Sequence, residues 1–317
     1  MQNVTLGIDI GGTNTKFGLV DKAGHIFFQD QLETGAHRPA EFLFERLFRR
    51  LRSRMHNLQE EIAIKGVGIG APNANHYTGK IEDPPNLSWK SVDLTAQVRK
   101  YLDTPVSVTN DANAAALGEM VYGNAKGMRN FIEITLGTGV GSGIVVNGEL
   151  VYGHDGFAGE MGHVIVEKNG RKCGCGRLGC LEAYASATGI TRTMQELLDS
   201  SGKASILRDL PPKDLTSKHI FDAATKNDEL ALEAFEITGR YLGEEIANAV
   251  LYFSPEAVIL FGGLAAAGEL IFRPVKKHME ANLLPIFQNK VKILPSGLAT
   301  SEAAILGAAA LIWHEIG

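Results

Sequence analysis

The chain has 317 residues, of which 44% are apolar and 21% charged; that is ample material for a core and excludes a disordered chain. At roughly 100–200 residues per domain, the length corresponds to about two domains. Thirty-one basic and 36 acidic residues leave a formal charge of −5, and no long basic run exists to track a phosphate backbone, so no nucleic-acid partner is expected.

The opening MQNVTLGIDIGG lacks the charged start and long apolar stretch of a signal peptide. No apolar run reaches the roughly 18 residues needed to span a bilayer. A cytoplasmic protein with no membrane partner is expected. Apolar runs at 4–10, 17–20 and 26–28, separated by Gly-containing turns, predict three strands. A helix follows Pro39, with Phe42, Leu43, Leu47, Phe48 and Leu51 on one stripe. Its arginines, from Arg46 to Arg54, read as a solvated helix face. A strand at 62–69, a helix at 94–101, a strand at 105–109 and an Ala-rich helix at 111–122 complete the first half.

The theme then restarts. A strand at 130–136 runs into the Gly-rich segment 137–143, read as a turn, and 144–146 is the return strand. A mostly helical stretch covers 181–251. A strand at 258–261, a helix, a strand at 291–294 and an Ala-rich helix at 301–314 close the chain. Two α/β halves, each opening with a hairpin whose turn is rich in Gly and Thr, indicate an internal duplication, with a boundary near residue 120. Two such sheets facing across a cleft bring both turns to one phosphate chain.

The first turn is Asp9-Ile10-Gly11-Gly12-Thr13-Asn14-Thr15-Lys16. Gly admits a phosphate without a Cβ in the way, and N–H groups and the Thr13 hydroxyl can donate to its oxygens. Asp9, at a strand end, can hold Mg²⁺ directly or through water; a tight hairpin turn is the plainer reading. The second turn, with Gly137, Thr138 and Gly139, is not a dinucleotide fingerprint, because a strand follows where a helix is required. Gly262-Gly263 follows a strand and precedes a helix, which suits either a nucleotide site or close packing. Asn110-Asp111-Ala112-Asn113 opens a helix at a strand end. Asp111 is either its N-cap or the carboxylate that takes a proton from an attacking hydroxyl, while Asn110 can fix a neighbouring hydroxyl.

Cys173, Cys175 and Cys180 lie within eight residues, downstream of Gly159-Glu160-Met161-Gly162-His163. Three thiolates and one imidazole make a closed tetrahedral set for structural Zn²⁺. No ligand position remains for water, so the ion would fix a loop. The second ring nitrogen of His163 can then donate to a substrate hydroxyl. Glu160 and Glu182 bracket the loop and are the candidate acceptors for substrate hydroxyls.

Together the three glycine loops resemble those of the sugar kinase, heat-shock protein and actin superfamily. That resemblance implies duplicated ribonuclease-H-like domains of the actin-like ATPase or hexokinase type, with ATP in the interdomain cleft. The motifs at 9–13, 110–113, 136–141 and 159–163, with the cysteine signature running into Leu181-Glu182, resemble the ROK family. The resemblance implies an ATP- and Mg²⁺-dependent sugar kinase nearest the bacterial glucokinases, with Asp111 as base and Asn110, Glu160, His163 and Glu182 on the sugar. It implies His163, Cys173, Cys175 and Cys180 as zinc ligands and a homodimer or homotetramer. Asn86, in the segment 84–89, resembles a family loop near the sugar. The expected division is 1–120 and 121–300, with a terminal helix at about 301–317 packing back on the first domain. Repressors of the family carry a helix-turn-helix ahead of the first glycine loop; here eight residues precede Asp9, so an enzyme is expected over a repressor. Polyphosphate as donor and the identity of the sugar stay open, with glucose favoured.

Overall fold

The structure, a computed structural model, describes residues 1–317 except Gln59 and Pro85; Pro85 belongs to the segment around Asn86 and so lies outside the described residues. In the first half, β1 (Gln2–Ile10), β2 (Asn14–Val20) and β3 (Ile26–Glu33) form an antiparallel meander, followed by α1 (Ala40–His56) and β4 (Ile62–Gly70). A small sheet of β5 (Ala74–Asn75), β6 (Lys80–Glu82) and β7 (Ser91–Asp93) precedes α2 (Leu94–Arg99), β8 (Val106–Thr109) and α3 (Asp111–Tyr122). The second half repeats the meander with β9 (Phe131–Leu136), β10 (Val140–Val146) and β11 (Glu149–Leu150). Then come α4 (Glu182–Ala185), α5 (Ala187–Ser200), α6 (Ser217–Ala224), α7 (Glu229–Phe253), β12 (Ala257–Phe261), α8 (Glu269–Asn282), β13 (Lys292–Pro295) and α9 (Ala303–Ile316).

The two main sheets share one topology. Their strand orders are β3-β2-β1-β4-β8 and β11-β10-β9-β12-β13, with the outer meander antiparallel and the last two strands parallel to the first. Parallel strands leave their carboxyl ends along one edge, where crossover helices begin. In the first sheet Asp9, Gly70 and Thr109 are register neighbours at that edge; in the second, Thr135 and Phe261 are.

Helices α3 and α9 form the layer between the sheets. They are Ala-rich and buried almost all round, as a helix packed on two sides must be. Their approach is close enough that a Cβ on Gly307 would lie 2.5 Å from Ala114 O, and one on Gly118 would lie 3.1 Å from Gly307 Cα. Helix α9 also crosses the first sheet, where glycines on β1 and β4 admit its backbone. A Cβ on Gly68 would overlap Ala308 O. Gly68→Ala is therefore expected to destabilise the fold by about 2–3 kcal/mol or more, since the carbonyl belongs to a helix that cannot yield; a denaturant midpoint equal to wild type would contradict this packing.

Three local expectations change. The stretch 137–143 is not all turn, because β10 begins at Val140 and Gly141 and Gly143 are strand residues. Their lack of a side chain admits α3: a Cβ on Gly143 would stand 2.6 Å from Ala116 Cβ. On α1 the buried stripe includes Phe44 instead of Phe42; the Phe42 ring lies half-buried under the guanidinium groups of Arg38 and Arg46, 4.4 and 4.9 Å away. The arginine face is partly paired, since Asp30 accepts from Arg50 and Arg54 at 3.0 and 2.9 Å. Among the described residues no helix is long and apolar enough to cross a membrane.

Candidate active site

A cavity of about 510 Å³ opens where the carboxyl edges of the two sheets meet. Asp9, from the end of β1, and Asn110-Asp111, just past β8, are on one wall. Gly137, Thr138 and Gly139, at the β9–β10 turn, are on the other, and Glu160 and Glu182 close one side. Lys16, opposite Asp9 in the β1–β2 register, also faces the cavity.

The cap question at α3 resolves locally. Asn110 is the N-cap, its side-chain oxygen accepting from Ala112 N at 2.9 Å. Asp111 is the first helical residue. Its Oδ1 also accepts from Ala112 N at 2.9 Å, which leaves Oδ2 to the cleft. Gly70 lies beneath this arrangement: a Cβ there would crowd Ala114 Cβ at 3.2 Å and touch Asp111 Cα and Asp9 Oδ1 only in ordinary contact, at 3.7 and 3.9 Å.

Electrostatically the site is acidic. Withdrawal from bulk water raises the proton affinity of Asp9, Asp111 facing it raises it further, and Lys16 only partly offsets this, so its pKa rises to about 7. Asp111 is open to the cleft on one edge but enclosed by protein otherwise, and that desolvation raises its pKa. Glu160 is raised by desolvation, opposed by His163 and reinforced by Asp111 and Glu182. A base with a raised pKa is protonated, and idle, at pH values where an ordinary carboxylate is already ionised. The acid limb of kcat/KM is therefore expected closer to neutrality than the usual carboxylate range near 4. A pH–rate profile flat from about pH 5 to 8 would contradict that.

Glu182 ties two loops together. One carboxylate oxygen accepts from Val140 N at 3.1 Å, and the other lies 3.3 Å from Cys173 Sγ. The turn it holds is also gripped from α5, where Ala187 N donates to Gly137 O and the Thr188 hydroxyl to Thr138 O, both at 2.9 Å. On the other side Ser142 donates to Gly159 O and accepts from Met161 N at 3.3 Å, fixing the segment that carries Glu160.

His163, Cys173, Cys175 and Cys180 converge, with one ligand atom from each within 4.8 Å of the others. Cys173 Sγ lies 3.8 Å from His163 Nδ1, and Cys175 Sγ lies 3.7 Å from Cys180 Sγ. Two sulfurs bound at about 2.3 Å in a tetrahedron stand about 3.8 Å apart, so the donor set fits a tetrahedral soft-ligand ion such as zinc. Gly176 and Gly179 take positive φ to turn the loop. Buried Arg171 anchors it to the helices, donating to both Glu196 oxygens at 3.1 and 2.6 Å and to Ala183 O at 3.0 Å, with its N–H on the Tyr184 hydroxyl.

Other expected residues lie near the cavity but do not line it. His163 turns Nδ1 to the cysteines. Gly11, Gly12, Thr13 and Asn14 form the β1–β2 turn beyond Asp9, closed by Gly11 N donating to Asn14 O at 3.0 Å. Asn86 packs on that turn: a Cβ on Gly12 would stand 2.6 Å from Asn86 Cβ. Gly262, at φ +100°, packs on Leu136, while Gly263 has open space around it and the preceding Phe261 faces the cavity. Sequence reasoning missed Asn73, Thr135, Ser142 and Thr300 in the lining. Asn73 sits at φ +53° immediately after Pro72; a Pro-Asn pair at a strand end signals a turn, not a ligand.

The ROK family model matches residues 5–315. The glucokinase of Thermotoga maritima is 35% identical over 315 residues, covering 98% of both chains. The xylose repressor of Bacillus spizizenii is 30% identical over 312 residues, covering 98% of this chain and 77% of the repressor. Among solved structures, a ROK family glucokinase from Streptomyces griseus in complex with glucose and AMPPNP aligns with a TM-score of 0.79 at 33% identity, over 97% of this chain and 98% of that one. The doubled sheet topology is the two-domain actin-like ATPase fold of the ROK sugar kinases, and the chain belongs to the ROK family.

Proposed function

We propose that the protein transfers the γ-phosphoryl group of ATP to a hexose, with glucose and its 6-hydroxyl as the preferred acceptor. The observation that carries this reading is the placement of Asp111. Its free carboxylate edge faces a cavity with two further carboxylates, Glu160 and Glu182, on one side and the Gly137–Gly139 turn and Lys16 around the rest. Carboxylates and the Asn110 amide suit a polyol, whereas exposed turn N–H groups and an amine suit phosphate. The glucokinase relatives support the same assignment.

In this reading Glu160 and Glu182 accept from sugar hydroxyls, Asn110 Nδ2 donates to one, and the ring nitrogen of His163 not turned to the cysteines donates to another. Asp111 accepts the hydroxyl proton as the new P–O bond forms. Thr138 and Gly139 supply N–H groups to the phosphates, the Gly137 N–H closing the turn on Gly139 O at 3.0 Å, and Lys16 supplies charge. Gly11, Gly12, Thr13, Asn14, Gly262 and Gly263 border the nucleotide, and Asn86 supports the sugar side from the β1–β2 turn. Asp9 would hold Mg²⁺, and its like-charge contact with Asp111 is the situation a divalent cation relieves. Bound there, Mg²⁺ neutralises charge on the phosphates. His163, Cys173, Cys175 and Cys180 would hold Zn²⁺, whose closed site fixes the loop between Glu160 and Glu182. Loss of the Cys173 proton on metal binding would also free the Glu182 oxygen beside it for substrate.

A repressor reading has relatives of its own, but a sensor has no use for the free carboxylate edge of Asp111 beside a phosphate-binding turn. Sugar preference is tested by kcat/KM for glucose, mannose, N-acetylglucosamine and N-acetylmannosamine with Mg-ATP. Glucose is expected to lead by about tenfold or more, since one unpaired polar contact costs at least that. An N-acetylated sugar in first place would overturn the glucose assignment while keeping the kinase.

A further inference from the structure

One carboxyl group behind the cleft wall has no part in the site described so far. Glu133, in the middle of β9, is fully buried. Ile132, Ile134 and Leu136 belong to the core of the second half, whereas Phe131 packs in the cluster with Ala116 and Leu117 of α3. Strand alternation puts Glu133 and Thr135 on that same α3 side. Gly143 stands opposite Glu133 in register, and it is there that α3 presses onto the sheet. The carboxyl therefore sits in the seam between β9, β10 and α3.

Among the described residues no Lys, Arg or His pairs with it. Its two oxygens have one partner, the Thr135 hydroxyl, at 3.0 and 3.3 Å. Burial, together with the carboxylates of Glu119 and Asp111 on α3, raises its proton affinity well above the ordinary range, with the Thr135 hydrogen bond only partly opposing. Glu119 differs, since its oxygens accept from Asn124 N, Gly297 N and Ser296. A buried carboxylate with no cation and one hydroxyl donor is costly, and the proton is the cheapest counterion.

The state of Glu133 decides what Thr135 offers the cleft. A hydroxyl has a single proton. An ionised Glu133 would hold that proton, leaving Thr135 with lone pairs toward the cavity. A protonated Glu133 donates to Thr135 Oγ and frees the Thr135 proton to turn into the cavity, which Thr135 lines two residues before the Gly137–Gly139 turn. Among the described lining residues the cleft holds Asp9, Asp111, Glu160 and Glu182 against one cation, Lys16. Neutral donors are what a transferring phosphoryl group needs there.

We propose that Glu133 is a positioning residue that keeps its proton, donates it as a hydrogen bond to Thr135 Oγ, and so aims the Thr135 hydroxyl as a donor at the phosphoryl oxygens. No proton changes owner in this arrangement. It rests on the kinase reading for the identity of the acceptor oxygens.

The test compares Glu133→Gln, Glu133→Met, Thr135→Val and the double variant Glu133→Met/Thr135→Val. The Gln amide donates to Thr135 as the protonated acid does, so Glu133→Gln is expected to keep kcat within about threefold. Met fills the space without a donor. Glu133→Met and Thr135→Val are each expected to lose roughly 10–100-fold in kcat, with sugar KM unchanged and no further loss in the double variant. If Glu133→Gln falls as far as Glu133→Met, an ionised carboxylate is required and the proposal fails. If folded Glu133→Met turns over like wild type, the group is packing only. A second readout does not need turnover: the infrared difference between wild type and Glu133→Gln in D₂O at neutral pH should show a protonated-carboxyl carbonyl band. Absence of that band overturns the proposal even in an active kinase. Its presence in a protein without turnover upholds the proton and rejects the kinase reading.

Discussion

Asp111→Asn is expected to lower kcat roughly 10³-fold while leaving sugar affinity within about threefold of wild type, a range too small to count as a lost polar contact. The substitution keeps the shape of the side chain, and its Oδ1 can still accept from Ala112 N as Asp111 Oδ1 does. What it removes is the acceptor on the cleft side. The same change deletes one of two like charges, because Asp9 at the end of β1 and Asp111 past the end of β8 face each other across β4 and Asp9 is pushed up to about 7 by burial and by that neighbour. The variant should therefore be at least as stable as wild type at neutral pH and above, where both carboxyls are driven toward ionisation. Both folded-state carboxyls bind protons more tightly than in the unfolded chain. Their contribution to stability thus falls as pH rises from about 4, the unfolded value, through about 7. A stability advantage of Asp111→Asn that grows across this window, together with the loss of turnover, separates a catalytic carboxylate from a structural cap. A variant with wild-type kcat would remove Asp111 from its assigned role.

Cys175→Ala is expected to lose bound zinc and to raise sugar KM about tenfold or more, with nucleotide affinity little changed. The loop has little core of its own: Val164, Ile165 and Leu178 are 40%, 48% and 46% exposed. Backbone contacts such as Cys173 N to Arg177 O at 2.9 Å, and the Arg171 anchor at one side, are what remain without a metal. Glu160 precedes the loop and Glu182 follows it, so loosening the loop is expected to blur both proposed sugar acceptors. Gly137–Gly139 is held independently by α5, so the proposed nucleotide side is expected to be spared. Metal content by mass spectrometry and sugar KM measured on one preparation check the coupling. A metal-free protein with wild-type sugar KM would contradict it.

Much of this architecture is written in local patterns. The duplicated hairpin, the helix starting at Asp111 and the strands leading into Asp9, Thr109 and Leu136 follow from apolar runs ended by Gly, Asn or Asp. The cysteine cluster is legible because three thiols so close together have few uses. What escapes is set by contacts far apart in sequence. Gly141 and Gly143 look like a loop, and only the arrival of α3 explains why a strand would spare its side chains there. Gly68 and Gly7 make sense only against α9, some 240 and 300 residues away. Two-residue strands such as β5 carry no periodicity. Asn73 and Thr300 enter the cavity from loops, where no periodicity marks which side chains face it. Glu133, in an otherwise apolar run, is the clearest sequence signal that went unused: a lone carboxyl on a buried strand asks what satisfies it.

Phosphoryl transfer to a hexose is tested most directly by a paired assay of zinc-loaded protein with Mg-ATP and glucose, following ADP and sugar phosphate together. Saturable turnover is expected, with one glucose 6-phosphate formed per ADP, lowered roughly 10³-fold by Asp111→Asn and absent when glucose is omitted. ADP release without sugar phosphate, or no release with any hexose while polyphosphate serves as donor, would contradict it.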